Sequence, residues 1–179
     1  EISSDSAPSA RGRHAVAMDA SREQMIIHGG RYRDGTEGNY TLHADTWALD
    51  LATDTWSEWE TSGDGPSKRS MHAAAVVGNT FYVFGGSTSK SGASYAPQSD
   101  LWALDIESKT WEMLGEDDGP SAREFHAMTA SADGGALYVY GGGDENAFVG
   151  PFFGDLWRYD IGEASWERLH RGANNAPEA

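Results

Sequence analysis

Four landmarks recur three times, in the same order, along this chain of 179 residues, and nothing else in the sequence restricts its fold as tightly. The first is Pro-Ser-x-Arg, at Pro8–Arg11, Pro66–Arg69 and Pro120–Arg123, each with a histidine three residues on (His14, His72, His126). The second is a double glycine closing an apolar run: Gly29-Gly30, Gly85-Gly86 and Gly141-Gly142. The third is Asp-x-Trp-x-x-Asp, at Asp45–Asp50, Asp100–Asp105 and Asp155–Asp160, and the fourth is a tryptophan six residues later, at Trp56, Trp111 and Trp166. A fixed period of this size marks an array of one supersecondary unit, repeated until neighbours bury one another.

Each unit reads as four strands. The first follows the arginine, as in Phe125-His-Ala-Met-Thr129. The second is aromatic and branched, as in Phe81-Tyr-Val-Phe84, and Gly78-Asn79 joins the two as a tight hairpin. The Asp-x-Trp-x-x-Asp segment is the third strand, and the second tryptophan lies on the fourth. No stretch follows the helical period, so the chain reads as all-β. A strand ending in two glycines can take positive φ and let other backbone approach closely. The recurrent tryptophans give each sheet a large apolar face that it cannot hide alone, and radial stacking hides it while leaving few open edges.

These residues resemble the kelch-repeat family of β-propellers: a double glycine after an apolar strand, Phe84 or Tyr140 just before it, and a tryptophan some 25 residues later. The resemblance covers roughly residues 8 to 170 and implies a kelch-type β-propeller of three four-stranded antiparallel blades. The expected division is a lead over 1–7, blades over 8–61, 62–115 and 116–170, and a connection to a next blade over 171–179. Propellers close with about four to eight blades, so three form part of a larger ring of about six or seven. The rest would come from further blades of the same chain or from a homodimer completing the ring. Ala176-Pro177-Glu178-Ala179 matches Ala7–Ala10, which reads as a cut at a blade boundary.

Composition narrows the partners. The formal charge of −15 repels phosphate backbones and anionic lipid, so neither nucleic acid nor a membrane surface is expected. The absence of cysteine excludes disulfides, thiolate metal sites and cysteine nucleophiles. Apolar runs fall far short of the ~20 residues of a membrane helix. No leader pattern opens the chain and residue 1 is Glu, which reads as a processed chain or a piece of a longer one. No residue run addresses it to a compartment, and a cytoplasmic setting is the default.

Function is expected on one rim. In an antiparallel meander the connections alternate between the two ends of the sheet, so the loops between strands two and three share a rim with the blade-to-blade connections. Those loops, 31–44, 87–99 and 143–154, are the long ones, and they hold Arg31, Tyr32, Arg33, Tyr40, Tyr95, Phe148, Phe152 and Phe153 among Gly, Ser and Asn. Rigid aromatics with adaptable polar fillers suit a protein-binding surface; the alternative is that they fold down over blade edges. Arg11, Arg69 and Arg123 lie on the same rim. They suit either recognition of an acidic segment or a structural ion pair, with Asp64, Asp117 and Asp118 close in sequence.

No catalytic residue, metal site or cofactor is expected. His14, His72 and His126 occupy equivalent places and suit hydrogen-bonded packing better than metal binding. Asp45, Asp50 and their repeats are too regular for catalysis and suit turn N–H groups. Among kelch-like enzymes, the galactose oxidase type needs a Tyr–Cys cross-link, which a cysteine-free chain lacks, and the iron-dependent specifier type needs Glu-x-x-x-Asp-x-x-x-His, which is absent. Sugar mutarotation, needing only an acid, a base and a pocket, stays open. The expected function is a protein-interaction scaffold or adaptor; the alternatives are an architectural subunit of a large complex and a small-molecule enzyme with a pocket at the propeller mouth.

Overall fold

The computed structural model describes residues 7–147 and 149–172; most of the expected lead and connection segments lie outside the described residues. The first blade contains β1 (Ala15–Asp19), β2 (Gln24–His28), a small hairpin of β3 (Arg31–Tyr32) and β4 (Thr41–Leu42), then β5 (Thr46–Asp50) and β6 (Thr55–Trp59). The second has β7 (Ala73–Val77), β8 (Thr80–Phe84), β9 (Leu101–Asp105) and β10 (Trp111–Gly115). The third has β11 (Ala127–Ala130), β12 (Ala136–Tyr140), β13 (Leu156–Asp160) and β14 (Ser165–His170). Each blade is a four-stranded antiparallel meander, and no helix occurs among the described residues. The innermost strands β1, β7 and β11 lie side by side in that order, so the sheets fan out around an axis without closing a ring.

The pleat of blade two shows why the blades stack. Phe81, Val83, Trp102 and Leu104 point to blade one and bury themselves with Ile26 and Ala48. Their alternating neighbours Tyr82, Phe84, Leu101 and Ala103 point to blade three and meet Leu137, Val139 and Tyr159. Both faces of the two central strands are thus spent on neighbouring blades, as the period of two requires, while Met113 on the outer strand stays 50% exposed. The outer tryptophans close each seam: Trp111 lies 5.1 Å from the His28 ring of blade one, and Trp166 lies 5.4 Å from Phe84 of blade two.

The second glycine of each pair meets the neighbouring strand start. Gly86 has φ +88°, and a Cβ there would sit 2.6 Å from the His72 Cβ. The positive φ and the close approach demand the same residue.

Two details differ from the sequence expectation. Strand one of blade three begins at Ala127 rather than Phe125, because Arg13, Met71 and Phe125 each take positive φ (58°, 64°, 58°). That turn lets Met71 N–H donate to the Arg13 carbonyl at 2.8 Å and Phe125 N–H to the Met71 carbonyl at 3.1 Å, stitching successive blades at the axis. The acidic repeats also divide their roles. Asp50, Asp105 and Asp160 accept backbone N–H groups in the outer turns, as expected. Asp45, Asp100 and Asp155 instead each take an arginine and a tryptophan indole.

Candidate functional site

The three rim arginines are built into the blades. Arg69 forks onto Asp100, with Nη1 donating to Oδ1 at 2.5 Å and Nη2 to Oδ2 at 2.7 Å, and Nη1 also donates to the Gly85 carbonyl at 2.9 Å. Arg11 treats Asp45 and the Gly29 carbonyl in the same way, and Arg123 treats Asp155 and the Gly141 carbonyl. Trp47, Trp102 and Trp157 donate their indole N–H to the same three carboxylates. The arginine side chains are at most 4% exposed. Burial alone would raise the Asp45 carboxyl, but the Arg11 and Trp47 hydrogen bonds outweigh it and bring it down to about 2. Asp100 and Asp155 are lowered by the same balance. Of the two expected roles, the geometry gives these arginines the structural one, with the Asp-x-Trp aspartates rather than Asp64, Asp117 or Asp118 as partners. Enclosed guanidiniums are not available as a first contact for a partner.

The repeated histidines are packing groups. His72 Nε2 lies 3.1 Å from the His28 carbonyl across the first seam. Burial lowers all three repeated histidines, His14, His72 (well below its usual value) and His126 (to about 3), and drives the neighbouring His28 to about 3 as well. Among the described residues no set of three His, Asp or Glu side chains is disposed to hold a metal.

The long loops meet each other on this rim. Tyr40 lies between two guanidiniums, with the Arg31 Cζ 3.8 Å and the Arg33 Cζ 4.3 Å from its ring centroid. Tyr40 N–H also donates to the Lys90 carbonyl at 2.7 Å, joining loop 31–44 to loop 87–99. Tyr95 is buried with Met71 and Ala147, 5.7 Å edge-on from Phe125. Phe153 covers Arg123, with the Cζ 4.6 Å from its ring. Tyr40, Tyr95 and Phe153 therefore bind the loops to the blades, as the edge-covering alternative requires. Tyr32 (42% exposed) and Phe152 (59%) project to solvent. Phe148 lies outside the described residues.

Sequence reasoning missed the inner part of the rim. Between each repeated arginine and histidine stand two residues that do not repeat: Gly12-Arg13, Ser70-Met71 and Glu124-Phe125. All six sit at the mouth of the axis. Arg13 carries its guanidinium 4.9 Å over Phe125 and donates to Met71 Sδ at 3.1 Å. Glu124 is wholly buried, and burial lifts its carboxyl to about 7; Ser87, Arg13 and Arg31 pull it down, while Asp144 adds to the rise. Burial and the nearby Arg13 lower Arg31 as well. The available signal was variation inside a repeat: a position that departs from the blade pattern has been released from the structural task.

The repeat, the glycine approaches and the Arg–Asp–Trp staples leave one description. The chain is a kelch-repeat protein. The family defined as the KLHDC2/KLHL20/DRC7 Kelch-repeats domain matches residues 2–179. The chain is 36% identical over 112 residues to host cell factor of Drosophila melanogaster, covering 56% of this chain and 7% of that protein. It is 32% identical over 139 residues to acyl-CoA-binding domain-containing protein 4 of Arabidopsis thaliana, covering 75% and 19%. It is 30% identical over 169 residues to N-(sulfonatooxy)prop-2-enimidothioate sulfolyase of Thlaspi arvense, covering 90% and 44%. The kelch chain spans less than half the length of each of these relatives.

Proposed function

We propose that this kelch segment is a non-catalytic protein-interaction module whose contact surface is the rim formed by loops 31–44, 87–99 and 143–154. The observation that carries it is the division among the rim aromatics. Tyr40, Tyr95 and Phe153 are fastened to the blades and hold the loops in place, while Tyr32, Phe152 and Phe125 face solvent on that fixed frame. Pre-organised aromatics bind with little ordering cost, and large amphipathic rings supply most of the energy of small interfaces. The relatives' names, a host cell factor, an acyl-CoA-binding protein and a sulfolyase, describe three unlike tasks. A shared repeat in unlike proteins fits a scaffold better than a shared reaction.

A second surface serves assembly. On blade one Val16 (49% exposed) and Met18 (50%) stand where Ala74 and Val76 of blade two are packed against a neighbour. That face fits a further blade, so the interaction surface proposed here belongs to a larger ring. Tyr32→Ala and Phe152→Ala together should abolish recovery of partners that the unmodified chain captures, without changing its thermal midpoint. Unchanged recovery would overturn the rim proposal. The solution mass of the species tests ring completion separately.

A further inference from the structure

The rim loop of blade three differs from the other two in what it shows to solvent. Val149 is 84% exposed and Phe152 59%, and Pro151 between them also faces solvent. Among the described residues, loop 31–44 exposes only Tyr32 of its large apolar side chains, and loop 87–99 exposes none. The apolar patch is held in place. Ala147 N–H donates to the Asp144 carbonyl at 3.0 Å, and the Val149 and Gly150 N–H groups donate to the Asn146 carbonyl at 2.9 and 3.1 Å. Ala147 itself is buried with Met71 and Tyr95. Backbone bridges join Gly143 to Phe152 on one side and to Glu124 on the other, which brings the exposed Phe125 alongside. Single exposed apolar side chains are ordinary, but a fixed group of them marks a contact surface.

The charge around the patch has one sign. Rim segments 115–126 and 143–154 carry Glu116, Asp117, Asp118, Glu124, Asp144 and Glu145. Their one Lys or Arg is Arg123, which is spent on Asp155. None of those acidic side chains enters an ion pair among the described residues. The unspent rim cations Arg33, Lys68 and Lys90 belong to blades one and two, and Arg13, over the Phe125 ring, marks the boundary. We infer that the Val149–Phe152 patch docks a segment of a protein partner in which apolar side chains stand beside lysine or arginine. The inference rests on the rim role proposed above and names the partner's chemistry. Charge separates the competitors. An acidic segment gains the apolar contact but meets unneutralised carboxylates, and an anionic lipid surface meets the same repulsion. An uncharged segment leaves those carboxylates to water, whereas a basic one is steered to them and set in register by them.

The test is a fluorescence anisotropy titration of the full chain at about 0.1 M salt, where charges about 10 Å apart still act on each other. The probes are labelled hexapeptides, capped at both ends, in which leucine alternates with lysine, with glutamate or with serine. The lysine peptide should bind saturably and at least about tenfold more tightly than the serine peptide, with the glutamate peptide weakest. Val149→Ser should weaken the lysine peptide at least about fivefold. Asp144→Asn with Glu145→Gln should bring the lysine and serine peptides within about twofold of each other. The Asp144 replacement keeps the Oδ1 acceptor that takes the Asn146 N–H at 2.8 Å, so the loop stays closed. Asp54→Asn with Glu163→Gln removes the same charge from exposed turns at the opposite rim and should change nothing. Equal affinities for all peptides, no saturable binding of any, or an equal loss in the opposite-rim variant would overturn the inference. So would Val149-dependent binding of phosphatidylcholine vesicles in place of the lysine peptide, which would make the patch a lipid contact. Partner capture by the Tyr32→Ala, Phe152→Ala chain is read in parallel. Lost capture without a lysine preference defeats this inference and leaves the rim proposal standing. Unchanged capture defeats the rim proposal and, with it, the partner chemistry drawn from it.

Discussion

Two adjacent layers of the same rim obey opposite rules. Arg11, Arg69 and Arg123 are identical in type, enclosed, and saturated with hydrogen bonds. One residue further along, Gly12, Ser70 and Glu124 share a backbone environment but have nothing chemical in common: Gly12 is exposed, whereas Ser70 and Glu124 are buried. Repetition marks the layer that holds blades together. Departure from repetition marks a layer released from that task, where burial holds the Glu124 carboxyl at about 7.

The contrast is broken most severely at the staples. Arg69→Ala strips the buried Asp100 of its guanidinium, leaving only the Trp102 indole N–H, and removes the donor to the Ser67 and Gly85 carbonyls, which costs about 3–5 kcal/mol. Against a total stability of about 5–15 kcal/mol that is enough to bring the chain close to unfolding, seen as a large fall in the urea midpoint. A midpoint within error of the parent would remove the staple argument.

Acid should act on the repeated layer next. An unfolded histidine takes up its proton near 6.5, whereas burial delays uptake by His28 and His126 to about 3 and holds His72 well below its usual value. Between those values the unfolded chain binds more protons, so stability is full above about pH 6.5 and falls as the pH drops towards 3. Thermal midpoints measured across that range should decline steadily, and a flat profile would mean that the histidines are not buried as described.

Gly86→Ala should cost on the order of 2 kcal/mol through its positive φ and its contact with His72, read by denaturant unfolding. Replacement of Gly12, which has nothing within 4 Å of an added Cβ, should cost far less.

The unrepeated layer predicts the opposite sign. The folded state holds the Glu124 proton up to about 7, while the unfolded chain releases it near 4.5. The native state therefore binds more protons between those values, and this carboxyl lowers stability as the pH rises from 4.5 through 7. Glu124→Gln should stabilise the chain by about 1–2 kcal/mol at pH 8 and leave it nearly unchanged at pH 4. Destabilisation at pH 8 would show Glu124 to be structurally required. At the small end, Tyr32→Ala and Phe152→Ala should shift stability by less than about 0.5 kcal/mol, as exposed positions do.

Much of the fold was legible because its signals are local and repeated. The glycine pairs, the aromatic strands and the Asp-x-Trp-x-x-Asp segments each state their conformation within a few residues, and three copies confirm one another. The site was legible only in outline. Arg31, Arg33 and Tyr40 stand in one loop by sequence, but the stacking of both guanidiniums on the Tyr40 ring depends on where a hairpin folds, and no residue near them announces it. Arg11 was read with two open roles, because its carboxylate partner is Asp45, 34 residues away and across the strand order.

Sequence alone fixed the period, the strand content and the face each strand presents, since backbone sterics and alternation act over neighbouring residues. Only the tertiary arrangement decided which charges pair and which stay unpaired. Arg123 and Glu124 are consecutive in the chain, yet one is neutralised by a forked pair with Asp155 while the other has no ion pair and its carboxyl is raised by burial to about 7. Pairing is a matter of distance in space, and residues from three separate blades meet at that mouth.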